Sequence, residues 1–153
     1  MIIVLDTFLA SSVSKRRESG EPTLTDLCHQ WIVDCELAGH QVLIPAIAYY
    51  ETLRELERRQ ATSQIERLKR FCLQPHRFIP LKREHLETAA QLWGQSRRKG
   101  LPTAHPQALD GDVILAAQTL SLGVPRDELI VATTNLVHLS QFVPADLWTN
   151  IRP

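Results

Sequence analysis

Side chains able to bind a cation stand at the ends of apolar runs: Asp6 in IIVLDT, Glu51 in PAIAYYETLREL, Asp110 and Asp112 in ALDGDVILAA, and Asn135 in VATTN. An unpaired charge beside buried apolar sequence is costly, so carboxylates in such places need a duty. Gathered into one pocket, these groups would repel one another unless a hard cation lay among them. Oxygen-only ligands suit Mg²⁺ or Mn²⁺, and the chemistry they suggest is hydrolysis of phosphate esters.

The elements around these groups can be read from periodicity and capping. Ile2, Ile3, Val4 and Leu5 form a short β-branched-rich run, as expected of a strand buried on both faces. A helix is expected over 7–15, and Gly20-Glu21-Pro22 breaks the chain. Thr23 reads as an N-cap with Asp26 at the third position, a variant of the capping box. The helix behind it carries Leu24, Leu27, Cys28 and Trp31 at i, i+3, i+4, i+7 spacing. Cys35 and Ala38 continue that stripe and Gly39 ends it. Val42, Leu43 and Ile44 make a second strand, with Pro45 suited to the turn that follows.

A helix over 46–59 and another over 62–73, with Ile65, Leu68, Phe71 and Cys72 on one side, read as a helical hairpin. A third short strand is expected at 77–80. Residues 82–99 form an amphipathic helix with Leu86, Ala89, Ala90 and Trp93 facing inward. Two prolines make 100–109 a surface loop; 111–122 is helical, 129–132 a strand, and 148–151 an edge strand. Strands alternating with helices imply an α/β fold. The expectation is one domain over 1–153, with a central, mostly parallel β-sheet flanked by helices and the hairpin after the second strand.

In open α/β sheets functional groups gather beyond the carboxyl ends of the strands. Asp6 follows the first strand directly, and Thr133, Thr134 and Asn135 follow the strand at 129–132. Glu51 lies about one and a half turns into its helix and Asp112 in the first turn of its own, so one pocket can collect all four segments. Each residue also has a plain structural reading. Asp110 can cap the helix beginning at Gly111, and Asp112 can complement the helix dipole. Asn135 can cap the short helix after it, and Glu51 can pair with Arg54 or Arg58. An Asp ending a buried strand so near the start has few structural duties. The coincidence of all four segments favours a site.

Bulk properties set wide limits. At 153 residues, with Lys plus Arg and Asp plus Glu at 17 each, charge gives no general pull toward nucleic acid. Lys15-Arg16-Arg17 and Arg97-Arg98-Lys99 are basic runs that read as solvated helix ends, or else as holders of a phosphate backbone. Cys28, Cys35 and Cys72 form no CxxC motif and read as core residues in a reducing cytosol, not a zinc site. The histidines lack HxxxH spacing and read as surface or cap residues. The first apolar run stops at Asp6 without a basic leader, so neither a signal peptide nor a membrane span is expected and a cytoplasmic location is the default.

The order of the segments IIVLDT, IPAIAYYETLRE, ALDGDVILAAQTL and IVATTNLVHLSQF resembles that of a PIN domain, the fold of VapC-type toxins. The resemblance spans almost the whole chain, including the helical hairpin after Glu51. It implies an α/β/α sandwich and a Mg²⁺- or Mn²⁺-dependent ribonuclease, often a toxin held inactive by a small antitoxin. Matched position by position, Asp6, Glu51 and Asp112 take the places of the family's first three acids. Asn135 stands where many members have Asp, which weakens the case for a tightly held second metal; Asp110 or a water would partly replace the missing charge. Phe8 stands where a small polar residue usually follows the Asp-Thr pair. His138, one turn past Asn135, is read as packing rather than touching phosphate.

The expected reaction is metal-assisted hydrolysis of an RNA phosphodiester, with single-stranded or looped RNA favoured because its backbone bends into a narrow acidic cleft. Thr133 and Thr134 would orient the metal ligands or the scissile phosphate. The resemblance also implies an antitoxin peptide laid across 46–73, a basic residue of it entering the acidic pocket, with Tyr49, Tyr50 and Leu53 as apolar contacts. A homodimer is a further implication. The alternatives are a catalytically silent PIN fold that binds RNA or a protein, and a phosphatase or DNA nuclease built on the same ligands.

Overall fold

The computed structural model describes residues 1–16, 19–100 and 109–153. Arg17 of the first basic run and residues 101–108 of the expected proline-containing loop lie outside the described residues. β1 (Ile2–Leu5) is the middle strand, and its side chains alternate between two faces. Ile3 and Leu5 enter one core and Val4 the other. β2 (Gln41–Pro45) and β4 (Leu129–Thr133) flank it, with Val4 opposite both Leu43 and Val131. β3 (Phe78–Ile79) pairs with β2, and β5 (Ala145–Leu147) with β4. The sheet runs β3-β2-β1-β4-β5 and is parallel at every pairing, where the sequence led us to expect mostly parallel.

Helices make the crossovers that parallel strands require. α1 (Thr7–Ser14) and α2 (Leu24–Leu37) join β1 to β2, and α3 (Ala46–Arg58) with α4 (Thr62–Cys72) forms the expected hairpin between β2 and β3. α5 (Arg83–Arg98) and α6 (Leu109–Leu120) precede β4, and α7 (Leu136–Leu139) precedes β5. The first four helices cover the face that holds Ile3, Leu5 and Ile44. The last three cover the face that holds Val4, Leu43 and Val131. The result is an α/β/α sandwich.

At α2 the expected capping box is present: the Thr23 hydroxyl accepts the Asp26 N–H, and the Asp26 carboxylate accepts that of Thr23. The expected stripe is rotated, however. Leu24, Leu27 and Ala38 face solvent, and the buried set is Cys28, Trp31, Ile32 and Cys35. Trp31 fixes that rotation, because its indole N–H donates to the Ile151 carbonyl (2.9 Å) and its ring meets Trp148 edge-on (5.8 Å). The same contact places Trp148–Asn150 in a 3-10 turn, not the expected edge strand. The edge strand lies earlier, at β5, where Asp146 accepts from the Leu147 N–H and from the Asn150 side-chain amide in the turn that follows.

α5 is rotated too. His85, Ala89 and Ser96 are buried, whereas Leu86, Ala90 and Trp93 are exposed, against expectation. His85 draws that side inward by accepting the Lys82 N–H on Nδ1 (3.1 Å), and small residues at 89 and 96 let the helix lie close to α6. Leu86, Ala90 and Trp93 instead line a surface groove with Val113 and Ile114. Arg97 is no solvated helix end: its guanidinium lies over Trp93, with Nε and Nη2 buried and unpaired among the described residues. Cys28 and Cys35 are buried and Cys72 half-buried, all as free thiols; burial pushes the first two to about 11 and the third to about 12. Among the described residues no helix is long and apolar enough to cross a membrane.

Candidate active site

The parallel sheet ends its central strands, β1 and β4, at the same edge, and their last residues meet there. Asp6 leaves β1 and caps α1, its Oδ1 accepting the Leu9 N–H (2.9 Å). Its Oδ2 accepts from the Thr133 hydroxyl (2.7 Å) and the Thr134 N–H (3.1 Å), both at the end of β4. Asp6 therefore has the structural duties that its sequence position did not suggest: it caps a helix and ties two strands together. Burial raises its pKa against these hydrogen bonds, which pull the other way. Thr133 is buried and also accepts the Asn135 N–H (2.9 Å), so one hydroxyl fixes the acid and the turn after the strand. Thr134 contributes its backbone to Asp6 while its side chain is exposed.

Glu51 comes from α3. It makes no pair with Arg54 or Arg58; Arg58 engages Glu55, and Arg54 lies over Tyr50. Its carboxylate instead accepts from the Thr7 hydroxyl at 2.5 Å, in the pocket that Asp6 also lines. Asp112, in the first turn of α6, is half-buried. Burial pushes its pKa up to about 6; His138 pulls it down, and the charges of Glu51 and Asp6 push it further up. His138 Nδ1 stands 3.8 Å from Asp112 Oδ2, so this histidine backs an acid of the site rather than simply packing.

Asp6, Glu51, Asp112, Thr133 and Asn135 line one pocket, with Phe8, Ile47, Leu115 and Leu139 as its apolar walls. Asn135 occupies the N-cap position of α7 but makes no capping bond through its side chain. Asp110 is not at this pocket. It is exposed two positions before Asp112 on α6, on the groove beside Trp93, because each helical step turns about 100° and two steps point the side chains about 200° apart. It therefore does not make up for charge missing at Asn135.

Several participants escaped the sequence reading. Thr7 carried a signal, since a threonine in the first helical turn after an acid faces the same way. Gln118 carried none: it is buried within α6, donating to the Ile79 carbonyl (2.8 Å) and accepting the Ile47 N–H (3.1 Å). It thus joins the strand end, the start of α3 and the helix of Asp112.

The donor set is oxygen from Asp, Glu, Asn and Thr, which suits a hard cation. As they stand, no three His, Cys, Asp or Glu side chains among the described residues converge closely enough to hold one ion. Asp6 and Glu51 are engaged with protein donors, and Asp112 faces His138.

No family model and no curated protein matches the sequence. Solved structures do match in fold. A chain of VapBC2 from Rickettsia felis, bound to a DNA fragment from their promoter, superposes with a TM-score of 0.66 at 14% identity, covering 97% of this chain and 99% of that one. FitAcB from Neisseria gonorrhoeae gives 0.66 at 18% identity with the same coverages. VapBC-1 from nontypeable Haemophilus influenzae gives 0.63 at 16%, again covering 97% and 99%. This chain therefore has the PIN-domain fold of the VapC type.

Proposed function

We propose that the protein is a Mg²⁺- or Mn²⁺-dependent endoribonuclease, the toxin of a toxin–antitoxin pair. The observation that carries the reading is the gathering of Asp6, Glu51 and Asp112, from three separate crossovers, in one pocket at the carboxyl edge of the sheet. Those three acids would hold the ion, with the Asn135 side chain as a neutral oxygen beside them. When bound, such an ion offsets phosphate charge and acidifies water. The chain's own groups do the rest. Thr133 and Thr7 hold the carboxylates in place, Thr134 adds its backbone N–H to Asp6, and Phe8 gives a base an aromatic surface on which to stack.

An antitoxin partner is supported by the neighbours in fold, VapBC and FitAcB structures, and the family resemblance would lay it along α3 and α4. Tyr50 is exposed there and available to a partner; Tyr49 and Leu53 pack against the core. A basic residue of that partner would compete for the acids. A homodimer is part of the same proposal.

The test incubates purified protein, free of partner, with a mixed RNA pool and Mn²⁺ or Mg²⁺. Asp112→Asn protein and a chelated sample run beside it. Cleavage abolished by both supports the reading, and cleavage that survives either one overturns it. A second reading, a silent PIN-fold module that binds RNA or protein, is favoured by the acids' failure to converge on one ion as placed and by Asn135. It requires that Mn²⁺ leave the melting temperature unchanged.

A further inference from the structure

Gly111 stands between Asp110 and Asp112 in the first turn of α6, and it lines the acidic pocket. A Cβ at this position would lie 2.8 Å from Glu51 Oε1 and 3.6 Å from its carboxyl carbon. The Glu51 carboxylate thus rests against the bare backbone of α6. Its other oxygen accepts from Thr7, which holds it in that place. The backbone of Gly111 is ordinary helix, so its lack of a side chain is not needed for a turn. What the missing methyl leaves is room for an acid from another helix.

We infer that Gly111 is a positioning residue whose absent side chain lets Glu51 enter the pocket beside Asp112. The inference rests on the metal-site reading above and names a determinant of it that no acid-by-acid comparison would find. A methyl group here meets only the far end of a flexible side chain. The fold accommodates it by moving the carboxylate, and alanine is the better helix former. Stability and cation binding are therefore expected to move in opposite directions. A glycine serving only the helix would give no such split.

Gly94, in the interior of α5, supplies the control. A Cβ there would meet only the end of Arg98, at 3.3 Å, and the residue lines no acid. Wild type, Gly111→Ala, Gly94→Ala, Glu51→Gln and the Gly111→Ala/Glu51→Gln double variant would be compared as full-length proteins. Melting is followed without metal, and Mn²⁺ binding by titration calorimetry. Both alanine variants should melt at or above wild type. Gly111→Ala alone of the two should weaken Mn²⁺ binding, by about 10- to 100-fold. Because Gly111 acts through Glu51, the double variant should bind no more weakly than Glu51→Gln.

Gly111→Ala that binds Mn²⁺ like wild type overturns the inference while leaving the metal site intact. So does Gly111→Ala that melts well below wild type, since the Glu51 tip would then not be free to move aside. Wild type that binds no Mn²⁺ overturns the metal reading and this inference with it, and the two failures are thereby distinguished.

Discussion

The two sides of the acidic pocket are built differently. On the sheet side, Asp6 is held by the Leu9 and Thr134 amides and the Thr133 hydroxyl, and removing it would orphan groups in α1 and at the end of β4. On the helix side, Glu51 is held by one threonine hydroxyl, and Asp112 faces a histidine across 3.8 Å. The sheet side is part of the fold; the helix side is supported by it. A carboxylate in a dense hydrogen-bond set keeps one geometry, whereas one with a single partner can turn. The helix-side acids are the ones free to adapt to a cation.

This contrast can be broken most directly by taking one acid from each side. Asp112→Asn should abolish cleavage, by more than the roughly 10- to 100-fold that a supporting partner costs, while the melting temperature holds or rises. Asp6→Ala should lose cleavage and stability together. The lost cap costs about 1 kcal/mol, and the orphaned donors bring the total to roughly 2 kcal/mol after relief of the buried charge. For a chain of this size that is about 4–8 °C in melting temperature. Equal melting temperatures for the two variants would show that the sides do not differ.

A smaller effect is expected at Thr133, which is buried and serves both Asp6 and the Asn135 N–H. Thr133→Val keeps the shape but strands that N–H and removes a donor from Asp6, at about 1–3 kcal/mol in chemical denaturation. If Thr133→Val matches wild type, the sheet side is not the rigid one.

Acidity sharpens the comparison further. Asp112 has its pKa raised from 3.8 to about 6 in the folded protein, first by burial. The folded state therefore holds that proton more tightly than the unfolded state. Without metal, the contribution of this group to stability is full below about 4, falls as pH rises from there through about 6, and is gone above. Asp6, also raised, adds in the same direction. Melting followed across this window should show a shallower slope for Asp112→Asn than for wild type, and identical slopes would assign the titration elsewhere. The least effect is expected from His138→Ala, which removes an attraction 3.8 Å away. Mn²⁺ affinity should change less than in Asp112→Asn, and a change as large would make His138 a member of the site in its own right.

What could be read ahead of the structure follows from how local each signal is. The capping box from Thr23 to Asp26 spans four residues, and the apolar runs at Ile2–Leu5 and Leu129–Thr133 are complete in themselves. The rotation of α2 and α5 is not local. Leu24, Leu27, Leu86 and Trp93 satisfy helical periodicity as well as the buried residues do. Which stripe turns inward was settled by distant partners, Ile151 for Trp31 and the neighbouring α6 for Ala89. Asp110 and Asp112 are alike in sequence, and two residues of helical rotation, about 200°, send one to a groove and the other to the pocket.

By itself the chain sequence determined the alternation of strands and helices, the hairpin after β2, and the types of side chain delivered to the strand ends. Periodicity, capping and turn chemistry act over a few residues and need no partner. Only the tertiary structure decided that Asp6 would meet Thr133, 127 residues away, and that Glu51 would rest on Thr7 and on the bare flank of Gly111. Those meetings depend on the strand order β3-β2-β1-β4-β5. Side-by-side packing of β1 and β4, chosen by burial of both faces of the sheet, brings together groups that no sequence spacing relates.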